Sequence, residues 1–298
     1  GTLILDEPVM RWWPEFGAAG KEFITLRQLM SHRGGMPAVG DPLPSEAIFD
    51  WDRVADALAA QAPWWTPGER HGYHVNTFGY LLGEPVRRAS GMTIGTLLRQ
   101  QISAPHEIDV HIGLPESEHG RVAEMVAVPA PPAQAPAAPT PPTNDEERMR
   151  LRMRQLAYGN PPGISGGPVN TARWRLAEIP STNGHGTARG VAHFYLALLK
   201  GDILSSDMLA EATKEHAYDR DFVLDRPSRF GLGYQLTQKE RLLGPNPRAF
   251  GHFGAGGSLG FCDPDADVAF GYVMNTMSGS NWQSPRARAL LDAIYASL

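Results

Sequence analysis

The order of two hydrophobic patterns along the chain constrains its fold more than any other feature. Helical spacing of apolar residues dominates up to about residue 200, and strand-like alternation becomes common after it. The segments with helical spacing are 26–32, 45–61, 76–91, 92–103, 144–159, 186–201 and 284–298. The segments 230–238 and 267–276 read as strands. Helices followed by strands predict an α+β domain with a mostly antiparallel sheet.

Several of these helices carry signals at their ends. Ser45 opens the segment 45–61 and is a plausible N-cap. Gly91 and Gly201 follow the last periodic residues of two other helices, where a left-handed residue commonly ends a helix. Pro85 lies inside the segment 76–91 and removes one backbone hydrogen bond, so we expect a kink there.

Residues 128–142, VPAPPAQAPAAPTPP, form a low-complexity Pro/Ala segment. Such a segment is extended and semi-rigid and forms no packed core by itself. We interpret it as an insertion or exposed loop within a single domain, 1–298, because motif-bearing sequence continues on both sides. The first residues, GTLILDEPVMRWWPEF, read as the interior of a domain and lack the basic start and cleavage site of a signal peptide.

Charge and composition limit the partners and the location. The net charge is −5 without a basic run, so neither nucleic acid nor an anionic membrane is expected as a partner. No run approaches the roughly 20 apolar residues of a membrane span. A single cysteine, Cys262, excludes an intrachain disulfide and four-cysteine zinc sites. We therefore expect a cytoplasmic location, with export as the alternative if a targeting segment lies upstream.

One short motif suggests a different hydrolase class and is rejected. Residues 256–260, GGSLG, match the G-x-S-x-G nucleophile elbow of α/β-hydrolases, which needs a buried strand before the serine and a histidine after it. The preceding segment, NPRAFGHFGAG, is not such a strand, and no histidine follows His252. A glycine-rich turn between two strands is the better interpretation. The ten histidines form no HExxH pattern, so neither a metal nor another cofactor is expected.

Three longer stretches point elsewhere, and they occur in this order: TPGERHGYHVNTFGYLLGEPVRRASG, AEIPSTNGHGTARGVAHFYLALLKG and FGHFGAGGSLGFCDPDADVAFGYVMN. Together with the opening LDEPVMRWWPEF…ITLRQLMSHRGGMP, they resemble the serine β-lactamase-like family. That family includes class C β-lactamases, D-alanyl-D-alanine carboxypeptidases and family VIII carboxylesterases. The resemblance implies a β-lactamase/DD-peptidase-like α/β three-layer fold, with an antiparallel sheet flanked by helices and a mainly helical subdomain.

The resemblance assigns catalytic roles to two side chains. The family uses S-x-x-K for its nucleophile, Y-x-N for its base, and K-T-G or a variant such as H-x-G on a strand beside the site. Tyr73 takes the base position, and His252 takes the first position of the H-x-G form. A cationic lysine and a helix N-terminus favour the phenolate, which lets such a tyrosine accept the serine proton.

The same resemblance assigns substrate-binding positions. Val75 occupies the asparagine position of Y-x-N, because the downstream spacing then needs no gap, and Asn76 is one residue late. Gly254 completes H-x-G, and the backbone N–H of Ala255 is expected to hold the oxyanion. Asn183 and His185 lie in an NGH loop that is a further candidate. For that loop, a helix-capping turn is the alternative interpretation.

The chain departs from the family at one essential element, because no S-x-x-K occurs in the 298 residues. In the family this element lies roughly one helix before the segment that begins here. We therefore expect the serine and lysine to lie upstream of this chain, and we expect the polypeptide as shown to be inactive without them.

Two substitutions relative to the family pattern favour esters over β-lactams. Val75 lacks the amide that hydrogen-bonds a β-lactam side chain, and an imidazole at His252 is mostly neutral at pH 7, unlike lysine. We therefore expect a carboxylesterase-like serine hydrolase acting on a small-molecule ester or amide. The alternatives are a β-lactamase or DD-peptidase, and a non-catalytic binding protein on the same fold.

Overall fold

The computed structural model describes residues 2–127, 141–240, 243–278 and 283–298. The α-helices are α1 (Leu26–Met30), α2 (Trp51–Ala60), α3 (Phe78–Ser90), α4 (Ile94–Leu97), α5 (Asp145–Gly159), α6 (Ala172–Leu176), α7 (Ala188–Lys200), α8 (Ser206–Ala212) and α9 (Pro285–Ser297). The strands are β1 (Val110–His111), β2 (His185–Gly186), β3 (Ala217–Arg220), β4 (Pro227–Phe230), β5 (Gln235–Leu236), β6 (Phe250–Phe253), β7 (Leu259–Asp263) and β8 (Val268–Tyr272). Most helices precede the large sheet, which confirms the α+β prediction.

The large sheet is an antiparallel meander in the order β3-β4-β5-β6-β7-β8. Consecutive strands are neighbours throughout, so every connection inside the sheet is a local one. β1 and β2 form a separate two-stranded ladder that joins distant parts of the chain.

Helices cover both faces of this sheet, as the period-2 alternation of β7 requires. Leu259 and Phe261 pack against α9 on one face, and Cys262 packs against α7 on the other. A Cβ atom on Gly260 would collide with the ring of Tyr195 in α7, so the glycine lets the helix approach closely. The helix–sheet–helix arrangement confirms the predicted three-layer architecture.

A second hydrophobic core forms the mainly helical part of the molecule. It is built largely from α1, α2, α3 and the 3₁₀ turns that precede α1. Its fully buried members include Trp13, Phe16, Leu29, Leu58 and Tyr80. Because residues of α3 are part of this core, the core also fixes the position of the loop that leads into α3.

The helix ends follow the predicted signals with one exception. Gly91 and Gly201 end α3 and α7 with φ angles of 71° and 80°, in the left-handed region. Asp50 caps α2 by accepting the Arg53 N–H, so Ser45 as its cap was wrong. Ser45 instead begins a separate 3₁₀ turn, Ser45–Phe49, because the helix starts after that turn.

The predicted strand 230–238 is wrong as a single element. Phe230 ends β4 and Gln235 begins β5, with a turn between them in which Gly231 N–H donates to Tyr234 O at 2.9 Å. Gly233 adopts φ 82°, which only a turn needs. The turn lies in an alternating segment, so the sequence pattern hid it.

Residues 256–260 lie in the turn between β6 and β7 and at the start of β7, which confirms the glycine-rich turn. The segment before the turn does contain a strand, β6, so that ground for rejecting the nucleophile elbow was wrong. The elbow is still excluded, because a strand and not a helix follows Ser258. The Pro/Ala segment lies outside the described residues except for 141 and 142. Among the described helices, none combines the length and apolar character that crossing a bilayer demands. Within those same ranges, no three metal-binding side chains converge.

Candidate active site

Tyr73 lies in the loop that leads from the turn at 66–69 into α3. Its glycine neighbour shows how tightly this loop is enclosed. A Cβ atom on Gly72 would lie 2.8 Å from the Trp65 ring and 2.9 Å from a methyl group of Val223. Any side chain at position 72 would therefore push the loop away from its neighbours. The chain can pass here only with glycine immediately before the tyrosine.

Three consecutive backbone amides hold Tyr73 in place. The N–H of Gly72 donates to the carbonyl of His32 at 3.0 Å, and the N–H of His74 donates to His32 Nδ1 at 3.2 Å. Between them, the N–H of Tyr73 lies 3.1 Å from both carboxylate oxygens of Asp221. The backbone around Tyr73 is thus fixed from two sides by groups that are remote in sequence.

His32 and His74 behind the tyrosine are neutral structural groups. Both are buried, and burial lowers the pKa of His74 to about 4 and holds the pKa of His32 well below its usual range. His74 donates its Nδ1–H to Gly72 O at 2.7 Å and accepts the Met36 N–H at Nε2. His32 adopts φ 60°, a left-handed conformation that is uncommon outside glycine. Its backbone carbonyl and its ring both serve the Tyr73 loop.

The ring of Tyr73 is partly buried between aromatic groups. It stacks on Phe230 with ring centroids 5.8 Å apart and meets the edge of His32 at 5.0 Å. These contacts fix the plane of the phenol. Rigid aromatic packing of this kind keeps a side chain in one orientation.

The hydroxyl of Tyr73 lies 3.5 Å from Nε2 of His252 in β6. Nδ1 of His252 lies 2.8 Å from the carbonyl of Phe253, and a carbonyl can only accept, so Nδ1 carries the hydrogen. In the neutral imidazole, Nε2 then presents its lone pair to the tyrosine. With His252 neutral, the Tyr73 hydroxyl is therefore the donor in this contact and His252 the acceptor.

Gly254 and Ala255, which follow His252 and Phe253, begin the β6–β7 turn. Gly254 N–H donates to Ser258 O at 2.9 Å, and a Cβ atom on Gly254 would collide with the Ser258 hydroxyl. Ala255 is exposed at the tip of the turn. The structure therefore uses the Gly254 amide within the turn, and the role of the Ala255 amide as an oxyanion donor stays a prediction.

The contacts of Asn76 bear on the assignment of Val75. Asn76 is buried, donates to Ala157 O at 2.7 Å and to Ser165 Oγ, and accepts from Thr182. Its amide is committed to the protein interior. Val75 is partly buried beside a separate apolar cluster, and its backbone N–H donates to Tyr73 O. The assignment of Val75 to the family's asparagine position and a substrate contact by Val75 both stay predictions.

Asn183 and His185 have structural contacts. The Asn183 side chain accepts the Ile179 N–H and donates to the carbonyls of Trp174 and Ala177, which closes the loop after α6. His185 lies in β2, opposite His111 of β1. These contacts match the turn interpretation of the NGH loop, and substrate binding by either residue stays a prediction.

Sequence reasoning missed the groups that support the tyrosine, namely His32, His71, Asp221 and Ser228. His71 Nε2 lies 2.9 Å from Ser228 Oγ, and Ser228 donates to Asp221 at 2.7 Å. The one available signal was the histidine two residues before Tyr73. No sequence signal pointed to Asp221, since an aspartate just after a strand resembles any turn residue.

Comparison with known proteins gives one family match, one curated relative and two solved structures. A model of the family described as "Beta-lactamase" matches residues 1–294. The esterase/beta-lactamase LipL of Mycobacterium tuberculosis is 30% identical over 289 residues, which cover 93% of this chain and 64% of that protein. The chain thus spans just under two thirds of the length of this curated relative.

Two solved structures share the whole fold of the chain. A family VIII carboxylesterase superposes with a TM-score of 0.88 at 36% identity, covering 100% of this chain and 78% of that one. A penicillin-binding protein homologue from Caulobacter crescentus superposes with a TM-score of 0.87 at 38% identity and the same two coverages. Both similarities extend over the helical part and the sheet.

Proposed function

Because this chain belongs to the beta-lactamase family, we propose that it carries the proton-transfer side of an acyl-transfer site in a serine hydrolase that cleaves uncharged carboxylic esters. One observation supports this above all others. The Tyr73 hydroxyl faces the Nε2 lone pair of His252, and Nδ1 of the same ring donates a hydrogen bond to Phe253 O. A phenol paired with an imidazole acceptor is a group that can take a proton from an alcohol and return it.

The proton path follows from this tautomer. As the serine oxygen attacks the ester carbonyl, Tyr73 accepts the serine proton and passes its own proton to His252 Nε2. The carbon–oxygen bond to the serine forms, and the carbonyl electrons move to the oxyanion. Collapse of this intermediate expels the alkoxide, which takes a proton back through Tyr73. Water then attacks the acyl carbonyl while Tyr73 accepts its proton, the bond to the serine oxygen breaks, and the serine takes a proton back through Tyr73 as the acid is released. The 3.5 Å separation is at the long end for a hydrogen bond, as is common before a substrate binds.

Two departures from the family pattern support esters as the substrate class. Valine at position 75 offers no hydrogen bond to an amide side chain, and neutral His252 supplies no fixed positive charge for a substrate carboxylate. An ester without charge needs neither group. The names of similar proteins point the same way, since one is a family VIII carboxylesterase and another an esterase/beta-lactamase.

The nucleophile of this scheme is not assigned to any of the 298 residues, because none of their serines stands in S-x-x-K. A fluorophosphonate probe identifies it directly. The product of the whole open reading frame that encodes this chain is labelled, digested and analysed by mass spectrometry. We expect one labelled serine, in an S-x-x-K segment, and loss of labelling on prior treatment with p-nitrophenyl phosphonate. A labelled Ser258 would contradict the assignment.

A matched pair of chromogenic substrates tests the substrate class. We expect p-nitrophenyl butyrate to be hydrolysed with a higher kcat/KM than a chromogenic cephalosporin. Strong turnover of the cephalosporin with none of the butyrate would assign the protein to the β-lactamase or DD-peptidase class instead.

One alternative is a binding protein without catalysis on the same fold. The fluorophosphonate experiment separates the two functions. A whole gene product that takes up no probe and hydrolyses neither substrate would establish this alternative and remove the esterase proposal.

A further inference from the structure

A buried carboxylate in the β3–β4 hairpin accepts the backbone N–H of the candidate base, Tyr73. Asp221 directly follows β3 and is fully buried. Its Oδ1 accepts the N–H groups of Val223 at 2.9 Å and Leu224 at 2.8 Å. These donors belong to its own hairpin. The Tyr73 N–H, 148 positions away in the sequence, comes from outside the hairpin and lies 3.1 Å from both oxygens.

Burying a carboxylate is costly unless it is hydrogen-bonded. The turn amides alone could satisfy an aspartate at the surface, where water fills the remaining positions. Inside the protein, the second carboxylate oxygen, Oδ2, needs donors from outside the turn. Ser228 Oγ at 2.7 Å and the Tyr73 amide supply them. The tyrosine loop is therefore part of the shell that keeps Asp221 stable, and displacing the loop would leave the charge undersatisfied.

Two more hydrogen bonds join the β3–β4 hairpin to the Tyr73 loop. Phe222 N–H donates to His71 O at 3.0 Å, so the two segments are joined on both sides of Gly72. His71 Nε2 lies 2.9 Å from Ser228 Oγ. Because the Ser228 hydrogen is donated to Asp221, the hydrogen in the His71 contact must come from Nε2. Burial lowers the pKa of His71, against the attraction of Asp221.

We infer that Asp221 is a positioning residue for Tyr73: through the Tyr73 backbone N–H it sets the position of the phenol relative to His252. The inference rests on the proposed function, in which Tyr73 moves the proton. His32 holds the amides on either side, but the amide of Tyr73 itself is held by Asp221. Small displacements of a reacting group reduce the rate strongly, with about 1 Å costing up to about 100-fold.

The chain offers a matched control in Asp263. It is also fully buried, ends β7 at the start of the β7–β8 hairpin in the same sheet, and accepts two amides of its own turn, from Asp265 and Ala266. Its outside partners are Asn246 and Tyr295 rather than the tyrosine loop. Asp221→Asn and Asp263→Asn thus remove similar buried charges, and only the first acts on Tyr73.

The test uses the product of the whole open reading frame and p-nitrophenyl butyrate. We expect Asp221→Asn to lower kcat about 10- to 100-fold while KM stays within about threefold, because the base is displaced and the substrate pocket is not. We also expect faster hydrogen exchange at the Tyr73 amide. Asp263→Asn should keep kcat and the exchange rate of this amide within about twofold, whatever its effect on the melting temperature.

Two results would overturn the inference, namely an unchanged kcat in Asp221→Asn or an equal loss of kcat in Asp263→Asn. If Asp221→Asn does not fold, the wild type decides: a through-hydrogen-bond coupling between Tyr73 ¹⁵N and Asp221 ¹³Cγ supports the contact, and its absence rejects it. If the wild type hydrolyses no ester, the proposed function fails. The exchange and coupling measurements then still report whether Asp221 holds the Tyr73 amide.

Discussion

The hydroxyl of Tyr73 lies 3.5 Å from Nε2 of His252, although 179 positions separate the two residues in the chain. The tyrosine comes from a loop of the helical part and the histidine from β6 of the sheet. Their meeting therefore depends on how these two parts pack against each other. Phe230 of β4, which stacks on the tyrosine ring, is one of the side chains that fix this packing.

We expect Tyr73→Phe to lower kcat for p-nitrophenyl butyrate by about 100-fold or more, as expected when a positioned acid–base group is lost. The ring stack on Phe230 is kept, so the melting temperature should change by only about 2 °C or less. The measurements are steady-state kinetics and thermal unfolding of the whole gene product. Tyr218→Phe, which removes an exposed hydroxyl bonded to Glu240, is the control and should leave kcat unchanged. Near-normal activity of Tyr73→Phe would remove the tyrosine from the mechanism.

A second prediction concerns charge at position 252. His252→Lys places a cation where the structure has an imidazole beside Tyr73. We expect the ratio of kcat/KM for an anionic cephalosporin to that for p-nitrophenyl butyrate to rise about tenfold, the effect of one charge-assisted hydrogen bond. The gain should shrink in high salt. His193→Lys adds the same charge at an exposed position on α7 and should not alter the ratio. An unchanged ratio in His252→Lys would mean that position 252 does not meet the substrate carboxylate.

A third prediction links stability to pH through His74. Burial lowers the pKa of His74 to about 4, whereas the unfolded side chain titrates near 6.5. Between these values the unfolded chain binds the proton and the folded chain does not, so stability is full above pH 6.5 and falls as the pH drops towards 4. One such group contributes up to about 3 kcal/mol to this fall. Denaturant unfolding from pH 4 to 7 measures it.

His74→Gln is the matched variant, since an amide does not titrate but can still accept the Met36 N–H and donate to Gly72 O. Its free energy of unfolding should depend less steeply on pH than that of the wild type. His32, whose pKa burial holds well below its usual range, remains in both proteins and preserves part of the dependence. Equal slopes in the two proteins would show that His74 is not the group responsible.

A fourth prediction separates Asn76 from the site. Asn76→Ala removes hydrogen bonds to Ala157, Ser165 and Thr182 in the interior and should lower the free energy of unfolding by about 2–4 kcal/mol. The folded fraction should keep its KM for both chromogenic substrates. Asn170→Ala also removes two backbone contacts, with Met125, but at an exposed position, and should cost less than about 1 kcal/mol. A change in KM for the cephalosporin in Asn76→Ala would instead place Asn76 at the substrate.

The sequence by itself determined the elements whose causes are local. Helical periodicity, the left-handed glycines at 91 and 201, and the strand-like alternation at 267–276 depend on neighbouring residues, so α3, α7 and β8 could be predicted with small errors at their ends. The order of these elements gave the α+β class. The motifs around Tyr73 and His252 identified the family and made the two residues candidates for the site.

Tertiary structure alone decided what holds those residues and in which chemical form. Asp221 and His32 bond to the Tyr73 loop only because chain segments far apart in sequence pack together, and nothing in their own neighbourhoods signals that contact. The tautomer of His252 likewise depends on the position of one carbonyl relative to its ring. Burial removes water from these groups, so each must find its partner within the protein, and those partners set the geometry of the site.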